Sequence, residues 1–288
     1  MIMSRKLLSI GVSILFATAA AQAEPAMWVI KDSDSTIYLI GTLHLLKRNT
    51  EWSGGKVKKT VHDATELWLE IADFENESGT VPLIAKYGMD PKRPLSTKLN
   101  EEQRERLTKV ATANGIPAQM LEPMQPWMAA IVLSMSPIMK AGYDPKAGVE
   151  RVLNAQAVAE GDKVRGFETA EEQMQIFASL SETEQVAFLA ATLDEVEKGI
   201  ELLDVLAKAW VDGDIETIAR LVVEEMKREA PSVYEKLLVR RNVAWSEKIA
   251  GMLKGSGVHQ IAVGAAHLAG PDSVQAQLAK RGIKVEKF

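Results

Sequence analysis

The chain has 288 residues, with 34 Lys and Arg against 39 Asp and Glu, and no cysteine. The missing cysteines exclude disulfides, thiolate metal sites, thiol nucleophiles and a lipidated amino-terminal cysteine at once. An acidic balance with no basic patch interleaved with aromatics argues against a nucleic-acid partner.

Arg5 and Lys6 form a positive n-region, Leu7 to Phe16 an apolar core, and Ala21-Gln22-Ala23 a small-residue cleavage site. Residues 1–23 are therefore expected to be a secretory signal peptide cleaved after Ala23, leaving one domain over 24–288 in the periplasm or outside the cell. The apolar stretch is shorter than the roughly 20 residues a membrane span needs, and no later segment qualifies. Without Arg5 and Lys6 the chain keeps 32 basic and 39 acidic residues, a net charge of −7. An exported chain without disulfides relies on its core alone, which this length is able to supply.

Ala26 to Lys31, the polar turn Asp32 to Ser35, and Thr36 to Gly41 read as a β-hairpin. Lys56 to Ala64 reads as a helix and Thr65 to Ile71 as a buried strand. Glu101 to Asn114 is a helix with Asn100 as its cap and Gly115 as its stop. Pro117, Pro123, Pro126 and Pro137 divide a Met-rich apolar segment into what is expected to be a pair of short core helices. Met120, Met124, Met128, Met135 and Met139 are assigned to core packing there rather than to a soft-metal stripe. Gly148 to Glu160 is a helix ended by Gly161, and Lys163 to Glu168 is a short strand. From about 170 to 230 the pattern is helical, which predicts a helical insertion over the sheet. Pro231 opens a long helix to Gly255, a strand follows, and Val274 to Lys280 with Ile283 to Val285 close the chain as helix and strand. The pattern predicts an α/β fold of mixed α+β type, with a central mixed sheet flanked by helices.

Two segments repeat one pattern. Gly41-Thr42-Leu43-His44 and Gly264-Ala265-Ala266-His267 each follow a β-branched apolar run, in a chain with four histidines. The glycines are expected to let the backbone leave the sheet through angles closed to other residues. Glu70 and Glu168 also stand at strand ends. If these strands are parallel neighbours, two imidazoles and two carboxylates converge at the sheet edge where open α/β sheets bind ligands. That set suits a divalent transition metal, or, without one, a His/Glu acid–base pair, and either version supports hydrolysis. His259 and His62 are assigned structural roles. Of Arg240 and Arg241, one is expected to face inward and bind a carboxylate or an oxyanion.

These motifs resemble those of the TraB/GumN family, which also contains the eukaryotic Tiki proteins. The resemblance is carried by Gly41-Thr42-Leu43-His44 with Lys47, Leu69-Glu70, Asp144, Gly148-Val149-Glu150, Gly166-Phe167-Glu168-Thr169 with Glu172-Gln173, Arg241-Asn242, and Val263 to Gly270. It implies a sheet similar to that of erythromycin esterase-like and haem-binding ChaN-like proteins. Tiki members are metal-dependent proteases, so it also implies His44 and His267 as metal ligands. The expected site holds Mn, Co or Zn between these two histidines and Glu70. Glu150 or Glu168 would activate water, and Arg241 would orient a carboxylate or stabilise an oxyanion. The expected function is thus an exported metal-dependent hydrolase acting on a peptide or small-molecule substrate. The competing readings are a periplasmic protein that binds haem, metal or a small anion, and a metal-free esterase with histidine as base.

Overall fold

The computed structural model describes residues 24–74 and 76–288, so the expected signal peptide lies outside the described residues. The first apolar runs pair as the hairpin β1 (Met27–Lys31) and β2 (Ser35–Thr42). Its turn is closed by the Asp32 carboxylate, which accepts from the Asp34 and Ser35 amides. After β3 (Leu46–Lys47), helix α1 (Gly55–Asp63) leads to β4 (Glu66–Ile71). Helices α2 (Glu77–Leu83), α3 (Glu101–Ala113) and α4 (Pro126–Lys140) follow, then β5 (Tyr143–Asp144), antiparallel to β3. Asn100 caps α3 in a capping box with Gln103. Helix α5 (Val149–Glu160) ends at Gly161, whose φ of 82° is the left-handed cap glycine favours, and passes into β6 (Lys163–Glu168).

The helical stretch comprises α6 (Ala170–Ala178), α7 (Glu182–Lys198), α8 (Glu201–Val211), α9 (Ile215–Ile218) and α10 (Glu225–Glu229). Helix α11 (Pro231–Tyr234), a π-helical turn (Glu235–Val239) and α12 (Arg240–Met252) then follow without a break. Strand β7 (Gly257–Gly264), helix α13 (Val274–Lys280) and β8 (Glu286–Lys287) complete the chain.

The six-stranded mixed sheet has the order β6-β4-β7-β2-β1-β8; the first four strands are parallel, and β1 is antiparallel to both neighbours. One face buries Ile40, Leu67, Leu69 and Ala262 against Val57, Val61, Leu153 and Trp210 of the flanking helices. The other buries Ile37, Leu39, Ile261 and Val263 against Trp245, Ile249, Val274 and Leu278. A third core joins α3, α4 and α7 through Leu107, Ala111, Ala130, Leu133, Leu189 and Leu193, so the helical layer draws on two stretches of chain. Among the described residues, no helix is long and apolar enough to cross a membrane.

Three local expectations are corrected. The last strand is Glu286–Lys287 rather than Ile283 to Val285, because the Ile283 amide donates to the Leu278 carbonyl at the end of α13 (3.1 Å). The proline-divided segment holds one short 3-10 turn (Ala118–Met120) and one 15-residue helix, since Pro126 occupies the first helical position, where a missing N–H costs nothing. Met120 and Met139 are 60% and 55% exposed rather than core; Met120 stands on that turn, and Met139 lies about three turns beyond the buried Met128.

Candidate functional site

The parallel strands β2, β7, β4 and β6 end together, with Thr42 opposite Gly264 and Ile71 opposite Glu168. Glu70 and Glu168 occupy the ends of β4 and β6, and His44 and His267 lie just past the ends of β2 and β7. Neither Gly41 nor Gly264 has a positive φ, contrary to the expectation from sequence. Close approach is what demands glycine there: a Cβ on Gly41 would lie 2.9 Å from Ala265 Cα, and one on Gly264 would lie 3.0 Å from Glu70 Oε1.

Helix α12 presents Arg241 to this edge and Arg240 to solvent. Arg241 is 8% exposed, whereas Arg240 pairs with Glu235 at the surface. The π-helical turn immediately before α12 widens the helix by one residue and so sets which side chain faces the sheet. Arg241 donates from Nη2 to Glu70 Oε2 (2.6 Å), from Nε to Glu168 Oε1 (2.9 Å), and from Nη1 to the Leu237 carbonyl and to His267 Nε2 (both 3.1 Å). Glu70 also accepts from the Gly264 amide (2.7 Å) and from Gln173 Nε2 (3.2 Å). Burial opposes the charge of Glu70, but the Arg241 guanidinium and the Gly264 amide hold its carboxyl well below the usual carboxylate range.

His267 is buried. Asn242 donates from Nδ2 to the Asp272 carbonyl (2.8 Å), which fixes its amide and leaves Oδ1 to accept from His267 Nδ1 (2.6 Å). The ring is thereby held as the Nδ1–H tautomer, with its Nε2 lone pair turned to Arg241. Burial pushes its pKa down to about 3, so the ring is neutral. Trp245 completes the enclosure: its ring lies 4.4 Å from the His267 ring and 4.6 Å from the Arg241 guanidinium, and its Nε1 donates to Glu168 Oε1 (2.9 Å).

His44 has the opposite setting. Its side chain is 63% exposed. Helix α5 reaches it because the Val149 amide donates to the Leu43 carbonyl (3.0 Å) and because Gly148 has no Cβ, which would lie 2.5 Å from the His44 carbonyl oxygen. Glu150, in the first turn of α5, then accepts from His44 Nδ1 at 2.8 Å. Desolvation lowers the His44 pKa, but the hydrogen bond and charge of Glu150, with the charge of Glu70, raise it to about 9. The second oxygen of Glu150, Oε2, is buried and has no hydrogen-bond partner.

His62 and His259 lie away from this edge, near Glu160 (3.6 Å) and Glu66 (3.5 Å). Asn242 and Gln173, which belong to the motifs that carry the family resemblance but were given no role, and Trp245, which does not, also take part in the network. For Trp245 a signal existed: it follows Arg241 by four residues in a helix, and so shares its face.

Three relatives set this geometry in context. YbaP of Escherichia coli strain K12 and of Shigella flexneri, both described as uncharacterized, are each 24% identical over 88% of this chain and 92% of their own length. An uncharacterized protein of Treponema pallidum strain Nichols is 20% identical over 90% of this chain and 81% of its own. No solved structure matches the chain. The family model that does match spans residues 26–287, from the first strand to the last, and the chain therefore belongs to the TraB/PrgY/gumN family.

Proposed function

We propose that this edge is the active site of an exported, metal-dependent hydrolase that cleaves peptides. The observation that carries the reading is the meeting, at one sheet edge, of the hydrogen-bonded pair of exposed His44 and largely buried Glu150 with the buried network of Glu70, Glu168, Arg241 and His267.

The donor chemistry fits a divalent ion such as Mn, Co or Zn. Imidazoles with carboxylates are ligand types such ions accept, Nε2 of His267 and Oε1 of Glu70 lie 3.8 Å apart, and Glu150 Oε2 is buried without a partner. His44, His267 and Glu70 would hold the ion. As they stand, no three His, Asp or Glu among the described residues form an ion-binding group. The His267 lone pair is engaged by Arg241, so that hydrogen bond and a His267–metal bond are mutually exclusive. When bound, the ion would lower the pKa of a coordinated water and polarise the scissile carbonyl.

The chain's own groups supply the rest. Between the two carboxylates considered as base, Glu150 has the free oxygen, whereas both oxygens of Glu168 receive hydrogen bonds from Arg241. Glu150 therefore takes the proton of the attacking water, and Glu168 positions Arg241. The guanidinium supplies fixed positive charge for an oxyanion. A metal-free route is favoured by one observation: His44 and Glu150 are already hydrogen-bonded, as an acid–base pair requires.

Metal analysis of the purified protein, with peptide cleavage before and after dialysis against chelator, separates these readings. Cleavage lost to chelator, restored by Mn or Zn and absent from His44→Ala is the expected result. Cleavage that survives complete metal removal selects the metal-free route. Stoichiometric ligand binding with no turnover of any peptide or ester overturns the hydrolase.

A further inference from the structure

A cavity of about 300 Å³ is lined by residues of the segments that follow His44 and flank Glu150, with Lys47, Arg48, Thr50, Trp52, Asp144 and Lys146 among them. We propose that it is a subsite for a carboxylate of the substrate, which makes acidic or carboxyl-terminal peptides the substrate class. Its part in catalysis rests on the hydrolase reading; its binding of a carboxylate does not.

The walls are the two segments that carry His44 and Glu150. Lys47 follows His44 by three residues and Ala147 precedes Glu150 by three, so at no more than about 3.6 Å per residue each wall begins within about 11 Å of the pair. Strands β3 and β5 clamp the walls together, pairing Leu46 with Asp144 and Lys47 with Tyr143.

Three cations line the cavity, and two already have carboxylate partners: Lys47 Nζ donates to Asp204 (2.6 Å) and Arg48 Nε to Asp144 (2.5 Å). Lys146 is exposed and forms no ion pair among the described residues. One positive charge is therefore in excess, which matches a carboxylate monoanion better than a phosphate dianion. Arg48 meets Asp144 through Nε, and its Nη groups make no hydrogen bond among the described residues, so part of the guanidinium fork stays available for a second carboxylate. Trp52 is 7% exposed and packs on Trp210 at 5.6 Å, which gives the cavity one rigid apolar wall. Arg48 and Lys146 are each four residues from His44 and Glu150, respectively, so at no more than about 3.6 Å per residue their backbones lie within about 14 Å of the pair, a span that a few residues of extended substrate can bridge.

Calorimetric titration of the purified protein at low ionic strength tests this with three capped peptides: acetyl-trialanine with a free carboxyl terminus, acetyl-Ala-Asp-Ala amide, and neutral acetyl-trialanine amide. At least one charged peptide should bind about tenfold more tightly than the neutral one, and which one does so identifies the carboxylate as terminal or side-chain. Lys146→Ala and Arg48→Ala should each remove most of that tenfold preference. A preference for the charged peptides in wild-type protein that turns over no peptide sinks the hydrolase and leaves the subsite standing. Equal binding of charged and neutral peptides, indifference to both substitutions, or tighter binding of inorganic phosphate than of either charged peptide would overturn the subsite.

Discussion

At each end of strands β4 and β7 a histidine, an arginine and a tryptophan gather around glutamate, one glutamate at the amino end and two on the arginine at the carboxyl end. At the amino end, Glu66 accepts from Arg165 (3.0 Å) and Trp68 (3.2 Å), His259 stands 3.5 Å away, and Arg165 is 46% exposed. At the carboxyl end the corresponding arginine, Arg241, is 9% exposed and serves two carboxylates and a histidine. One carboxylate facing one hydrated arginine needs no further support. Two buried carboxylates sharing one guanidinium depend on it, and that dependence, rather than the residue types, distinguishes the candidate site from its near copy.

The strongest way to break the comparison is to remove both arginines in turn. Arg241→Met strands Glu70 and Glu168 in a buried setting, and urea unfolding should show a loss of about 3–5 kcal/mol. Arg165→Met should cost less than about 1 kcal/mol, because the lost partner is half exposed and Glu66 keeps the hydrogen bond from Trp68 with His259 3.5 Å away. Equal losses would erase the distinction.

A smaller effect sharpens it. Asn242→Ala leaves a buried Nδ1–H without an acceptor and should destabilise the protein by about 1–3 kcal/mol. Nitrogen NMR of the imidazoles supplies the independent readout. His267 should stay the Nδ1–H tautomer in both, because Arg241 donates to Nε2, but its Nδ1 resonance should move in the variant as the hydrogen bond to Asn242 is lost, while His259, whose Nδ1 has no hydrogen-bond partner, should not respond. A His267 Nδ1 signal unchanged by the substitution would show that Asn242 does not accept from this ring.

How much of this was legible follows from what each residue's neighbours are. Glu70, Glu168 and His267 announce themselves because strand periodicity and length place them at strand ends, and a parallel arrangement then brings those ends together. Glu150 does not, since an acid in the first turn of a helix reads as a partner of the helix dipole, and it emerged only from family resemblance. The choice between Arg240 and Arg241 was not legible either. It depends on a π-helical turn over Glu235–Val239, whose sequence looks like ordinary helix. The glycines were found for the wrong reason, because close contact between Gly41 and Ala265 is a tertiary fact with no local signature.

The smallest effect concerns a carboxylate that resembles Glu70 in its direction of shift and differs in cause. Glu184, 27% exposed, is held down to about 2 by hydrogen bonds from Ser232 and from the amide and hydroxyl of Ser181, where it completes the capping box of α7. Its folded pKa lies below its unfolded value, so its stabilisation is fully present above about pH 4.5 and disappears as the pH falls toward 2. The unfolding midpoints of wild type and Glu184→Gln should therefore differ at pH 6, by less than about 1 kcal/mol in stability for a group this close to solvent, and converge as the pH reaches about 2. A gap that persists at low pH would mean that the carboxylate charge does not support the cap. Convergence would show that the Glu184 carboxylate is depressed chiefly by neutral donors, with Lys236 3.6 Å away adding the smallest share, whereas Glu70 relies first on one buried cation.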